Sequence, residues 1–170
     1  ADTLTATENI VPGMVSTITP VFNRAAMLQQ AVRSVLDQTY RPIEIVISDD
    51  GSTDSTPEVA EELARSHPSE VIALHKVHSG PGPAREAGRR IARGEFLQYL
   101  DSDDLLCPPK FAVQVAALRA RPECGVAYGR SRLVSEDGEV LADSYKWTGR
   151  DLPYLFPALL VDRWWCTHTP

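Results

Sequence analysis

Apolar positions along the chain fall into short β-branched runs that alternate with stretches at helical spacing. Residues 14–19 (MVSTIT) read as a first strand. In residues 25–38, Leu28, Ala31, Val32, Val35 and Leu36 recur at the spacing of an amphipathic helix, with Asn23 as its candidate cap. Residues 43–48 (IEIVIS), introduced by Pro42, read as a second strand. A helix is expected from Ser55 onward: Ser55 and Glu58 form a capping-box pattern, and Pro57 suits an early helical position. Residues 71–77 read as a strand, 82–93 as a helix and 95–100 as a fourth strand. A further helix over 110–120 carries Phe111, Val115 and Leu118 on one side. This alternation predicts an α/β fold, a Rossmann-like and mostly parallel sheet with helices on both faces. Residues 1–12 are polar, end in Pro12 and are expected to form an irregular lead-in. After Gly125 the pattern changes to two strands joined by a turn at Asp137 and Gly138. The last stretch, 152–170, is rich in proline and aromatic residues and has no clear period.

In an open α/β sheet, ligands bind beyond the carboxyl ends of the strands. Three of the predicted strand ends are polar: TPVFN (19–23), SDDGSTD (48–54) and DSDD (101–104). Parallel neighbouring strands would bring them to one crevice. Asp49 and Asp50 also suit a turn and a helix cap. Asp101, Asp103 and Asp104 are harder to explain that way. A cap uses one carboxylate, and three this close repel one another without a counter-charge. Mg²⁺ or Mn²⁺ accounts for the set, because both take oxygen ligands and share them with substrate phosphates.

The stretch VSTITPVFNRAAMLQQAVRSVLDQTYRPIEIVISDDGSTDST resembles the opening segment of the family 2 glycosyltransferases, which have the nucleotide-diphospho-sugar transferase (GT-A) fold. GPGPAREAGRRIARGEFLQYLDSDD resembles that family's next block, and the likeness covers residues 13–170. The resemblance implies an inverting transferase of the hexosyl type. It would move a sugar from a UDP- or dTDP-sugar to a saccharide or other hydroxyl acceptor, assisted by Mn²⁺ or Mg²⁺. It implies that Thr19, Pro20 and Phe22 line the base pocket and that Asp50 accepts from the pyrimidine ring, with Asp49 nearby. Arg85 would lie near the base or the phosphates. Asp103 would be the first metal ligand, and Asp101 or Ser102 would lie nearer the ribose, with Asp101 also able to reach the metal. Asp104 would be structural. Glu86 stands where the family usually has Asn. The family's acidic catalytic base lies in a Glu-Asp motif that follows a Gly-Gly-Phe-Asp-like segment, a combination absent from this sequence. The chain therefore reads as the N-terminal, nucleotide-binding part of a longer transferase, incomplete at its C-terminal side, with the base expected beyond Pro170.

Composition narrows the rivals. A chain of 170 residues, 43% hydrophobic and 24% charged, supports one globular domain with a sizeable core. A net charge of -6 disfavours nucleic-acid tracking. No apolar run reaches the roughly 20 residues of a membrane span. The first residues lack the basic and apolar blocks of a signal peptide. Cys107, Cys124 and Cys166 are far apart and read as reduced, packed thiols, so the expected location is the cytoplasm, free or peripheral at the inner face of the membrane. His75 and His78 read as structural, and His168 has no defined role. Trp164 and Trp165 offer either a sugar-stacking platform or burial against the sheet. A nucleotidyltransferase is one rival, but TPVFNRAA lacks its Gly-rich phosphate loop. A non-catalytic nucleotide-sugar-binding module is the other.

Overall fold

The second strand, IEIVISD (Ile43–Asp49), is buried at every position, as a strand covered on both faces must be. It lies inside the four-stranded sheet of a computed structural model that describes residues 10–129, 131–135 and 139–144. The elements are β1 Val11–Val21, α1 Ala25–Leu36, β2 Ile43–Asp49, α2 Thr56–Ser66, β3 Val71–His75, α3 Pro81–Ile91, β4 Gly94–Tyr99 and α4 Lys110–Ala120. They are followed by β5 Ser131–Val134 and β6 Val140–Ser144. The strand order is β3-β2-β1-β4, all parallel. The chain thus builds outward on one side of β1, crosses back through α3 and adds β4 on the other. The order reverses between β1 and β4, the place where such sheets bind ligands.

Alternation along β1 and β2 sorts the two faces. Val15, Val21, Ile43, Ile45 and Ile47 pack with Leu28, Ala31, Val32 and Val35 of α1 and with Ala60 of α2. Ile18 and Val46 face α3, which comes so close that a Cβ on Gly88 would stand 2.6 Å from Ile18 Cγ2. The chain divides after Ala127. In the second unit, β5 and β6 pair antiparallel, and Ser135 N donates to Glu139 O at 2.8 Å. The turn expected at Asp137 and Gly138 lies outside the described residues, as do Trp164, Trp165, Cys166 and His168.

Several expectations are corrected. Val11 and Pro12 belong to β1 rather than to an irregular lead-in. The strand accommodates Pro12 at a bulge, where the β1–β4 register shifts and Gly13 takes φ +77°. Asn23 does not cap α1; Arg24 holds the N-cap position, and Asn23 sits in a left-handed turn at φ +53°. The Ser55–Glu58 box does not form: Ser55 holds the N-cap position without a side-chain cap bond, and the side chain used at this end is Asp54, whose Oδ1 accepts from Thr56 N at 2.9 Å. Cys107 and Cys124 are exposed rather than packed. The main chain at 107 is what the fold uses, since Cys107 O accepts from Gln38 Nε2 at 2.8 Å.

Candidate active site

Four loops leave the carboxyl ends of β1 to β4 on the same side of the sheet. The last β1–β4 pair is Ile18 with Tyr99, closed by Leu100 N donating to Ile18 O at 3.0 Å. The next donor of β1 on that side would be the N–H of residue 20. Pro20 has none, so the ladder ends and the strands part. The acidic DSDD segment begins at that opening.

The first two loops are laced together by the motifs themselves. Asn23 N donates to Ser52 Oγ at 2.9 Å, and Asn23 Oδ1 accepts from Thr53 N at 2.8 Å. Arg24 N donates to Thr56 Oγ1 at 2.9 Å. Gly51 is required twice over: its φ is +76°, and a Cβ there would lie 2.8 Å from His78 N.

Asp49 and Asp50 point to different neighbours. Asp49 turns toward α2: Oδ1 accepts from Ser52 N at 3.1 Å, and Oδ2 lies 3.0 Å from His75 Nδ1. His75 Nε2 in turn reaches Glu61 Oε1 at 2.8 Å. Asp49 therefore sits away from Asp50's surroundings. Hydrogen bonding to Asp49 raises the His75 pKa; burial opposes this and Glu61 adds to it.

Asp50 docks on the start of α3. Oδ2 accepts from Gly80 N at 2.7 Å and Oδ1 from Ser79 N at 3.0 Å. Lys76 Nζ pairs with Oδ1, and His78 Nδ1 lies 2.9 Å from Oδ2. The Asp50 side chain is only 4% exposed. Burial pushes its carboxyl upward, but the Lys76 bond and the two main-chain N–H groups outweigh this and hold it below the usual carboxylate value. Phe22, 41% exposed, packs against the His78 ring with centroids 4.3 Å apart. His78 thus joins two of the residues expected at the base, although the sequence alone suggested a structural role.

Two of the three carboxylates in the acidic segment pair with arginines. Arg85 of α3 pairs with Asp101, and Arg24 crosses the opening to pair with Asp103. Asp103 is 45% exposed and Asp101 21%. Ser102 is buried, and Asp104 N donates to Asp101 O at 3.0 Å in the turn. Thr19 is completely buried, and its Oγ1 has no hydrogen-bond partner among the described residues. Alternation places its side chain on the α1–α2 face, so only its main chain is offered to the opening. Pro20 is buried beside it.

The residues after the acidic segment are fixed to α1 and the turn that follows it by three side chains whose roles the sequence did not reveal. Ser34 Oγ accepts from Leu106 N at 3.0 Å, and Thr39 Oγ1 donates to Pro108 O at 3.3 Å. Gln38 Oε1 accepts from Phe111 N at 3.0 Å while its Nε2 donates to Cys107 O. Gln38 belongs to the SVLDQT motif, so that motif acts as an anchor for the acidic loop.

Among the described residues no three His, Cys, Asp or Glu side chains gather as a metal cage. One or two carboxylates at the edge of solvent suit Mg²⁺ or Mn²⁺ that completes its shell with phosphate and water, and do not suit a closed structural zinc site. No helix among the described residues is long and apolar enough to cross a membrane.

Comparison with known proteins agrees with this geometry. The family described as glycosyl transferase family 2 matches residues 16–160. A chondroitin synthase of Escherichia coli is 32% identical over 142 residues, which are 84% of this chain and 20% of that protein. A mannosyltransferase of Pyrobaculum calidifontis, solved with GDP-Man and Mn²⁺, superposes with a TM-score of 0.60 at 27% identity, covering 71% of this chain and 35% of the other. S. aureus TarS 1-349, solved with UDP-GlcNAc, shares the fold with a TM-score of 0.55 at 24% identity, covering 64% and 32%. The chain spans between 14% and 22% of the first curated relatives it matches.

Proposed function

Because the chain belongs to glycosyl transferase family 2, we propose that it supplies the nucleotide-sugar site of an inverting glycosyltransferase. The donor is a UDP- or dTDP-sugar, and the acceptor is a hydroxyl, most simply that of a saccharide. The observation that supports this reading is the set of groups beyond the carboxyl ends of the strands: the aromatic pair Phe22 and His78, after β1 and β3, and the arginine-paired carboxylates Asp101 and Asp103, after β4. The base lies against Phe22, beyond Pro20 and the main chain of Thr19. Asp50 holds the segment 76–80 in place and accepts the ring N–H of uracil or thymine once Lys76 gives way. The ribose lies near Asp101 and Ser102, with Arg85 toward the phosphates.

Asp103, with Asp101 in reach, would hold Mn²⁺ or Mg²⁺; that ion, when bound, stabilises the charge on the departing diphosphate. The anomeric carbon is attacked by the acceptor oxygen from the opposite side, with inversion, while the protein keeps donor and acceptor aligned. A base must also take the acceptor proton; Asp50, Asp101 and Asp103 are committed to the donor.

Thermal-shift and calorimetric titrations with UDP, dTDP, CDP and GDP, with and without Mn²⁺, test the reading. UDP or dTDP is expected to stabilise the fold more than CDP, whose ring N3 carries no proton. Asp103→Asn is expected to lose most metal-dependent nucleotide binding. A preference for CDP or GDP would overturn the Asp50 assignment; GDP is the instructive rival, given the GDP-Man bound to the mannosyltransferase. Equal metal-dependent affinities for both chains would move the ligand role away from Asp103.

A further inference from the structure

We infer that Arg24 is a built-in counter-cation that competes with the divalent ion for Asp103, an inference that rests on the reading of Asp103 as metal ligand. Arg24 and Asp103 are 79 positions apart, and their pair bridges the two loops that flank the opening. The Arg24 main chain is fixed, because its N–H donates to Thr56 Oγ1, and Thr56 is fully buried. Its preceding residue, Asn23, is laced to Ser52 and Thr53. The side chain beyond that anchor is 47% exposed. Arg24 is therefore a cation on a fixed tether with a head free to leave.

The neighbouring pair behaves differently. Arg85 and Asp101 are 35% and 21% exposed, more enclosed than Arg24 and Asp103. An exposed pair contributes little to stability, so the Arg24 head is displaceable without unfolding anything. Among the described residues no third His, Cys, Asp or Glu side chain gathers there to tilt the contest toward a bare ion. A divalent ion arriving alone must displace Arg24 for the sake of one or two carboxylates. An ion arriving with a diphosphate brings further ligands of its own, and the diphosphate gives the displaced Arg24 head a new anionic partner, so the same displacement costs less. Arg24 thereby couples metal binding to nucleotide binding.

The test measures Mn²⁺ affinity from the free-ion electron paramagnetic resonance signal, without nucleotide and at saturating UDP. The chains compared are the native one, Arg24→Gln, Arg24→Lys and Asp103→Asn. Arg24→Gln is expected to bind Mn²⁺ about two- to fivefold more tightly without nucleotide, and the gain on adding UDP should shrink by the same factor. Arg24→Lys, which keeps the tethered charge, should stay near the native affinity. Asp103→Asn should lose the site in both conditions. If Arg24→Gln binds Mn²⁺ no more tightly than the native chain in either condition while Asp103→Asn abolishes binding, the competition is refuted and the metal reading stands. If Asp103→Asn leaves Mn²⁺ binding intact, the metal reading itself fails.

Discussion

Asp50 and Asp103 are both acidic residues beyond strand ends, yet they should respond differently to losing their charge. Asp50 is enclosed by Lys76, His78 and two main-chain N–H groups. Asp50→Asn leaves Lys76 without its carboxylate and puts an amide where donors converge. It is expected to destabilise the chain by about 2–4 kcal/mol, read as a fall in denaturation midpoint without ligand. Unchanged stability with weakened UDP binding would show that Asp50 only reads the base. Asp103→Asn should leave ligand-free stability within about 0.5 kcal/mol. His75 sets a pH effect of definite sign. Its folded pKa is raised, chiefly by Asp49, so its contribution is fully present below about pH 6.5 and is lost as pH rises through the folded value. The native chain should therefore lose stability relative to His75→Gln between pH 6 and pH 9; a flat difference would remove His75 from the account. The carboxylates were legible in the sequence because clustered like charge has few structural uses. Their cations were not, since Lys76 and Arg24 reach Asp50 and Asp103 from 26 and 79 positions away.

Among the elements, apolar runs and periodicity located the four strands of the sheet and helices α1 and α4, because each has one face or both faces in the core, whereas α2 was read from its start signals. Helix starts were less legible. Ser55 and Glu58 had the right spacing, but Ser55 makes no side-chain cap bond while Asp54 binds the Thr56 N–H, and Asn23 was drawn instead to the β2–α2 loop. The sequence also could not show what Gln38 does. It is buried at the end of α1, binds Cys107 O and receives Phe111 N, and so ties the start of α4 to a separate helix. Gln38→Ala leaves a buried donor and acceptor unpaired and is expected to cost about 1–3 kcal/mol. It should also speed amide hydrogen exchange over 105–111, downstream of the acidic segment. Exchange rising uniformly over the chain would argue for general destabilisation and against a local anchor.

At the scale of the whole molecule, the order β3-β2-β1-β4 was not readable from periodicity, which finds strands but not their neighbours. It follows from the crossover through α3, and it puts β4 beside β1, so the DSDD loop lies opposite TPVFNR. α3 carries both sides of the arrangement. Its N-terminal approach binds Asp50 through Ser79 and Gly80, and Arg85 one turn on holds Asp101. The helix rests on the sheet through Gly88, with no room for a methyl group above Ile18. That glycine works as a spacer of zero thickness. Gly88→Ala would lift the helix by the width of one carbon, at about 1–3 kcal/mol for overpacking. The same lift would loosen the grip on Asp50 and draw Arg85 from Asp101. A substitution with no contact to either carboxylate should therefore weaken UDP affinity and lower the melting temperature together. Both carboxylate contacts are gauged by a single missing side chain, and α3 cannot be adjusted for Asp50 without being adjusted for Asp101.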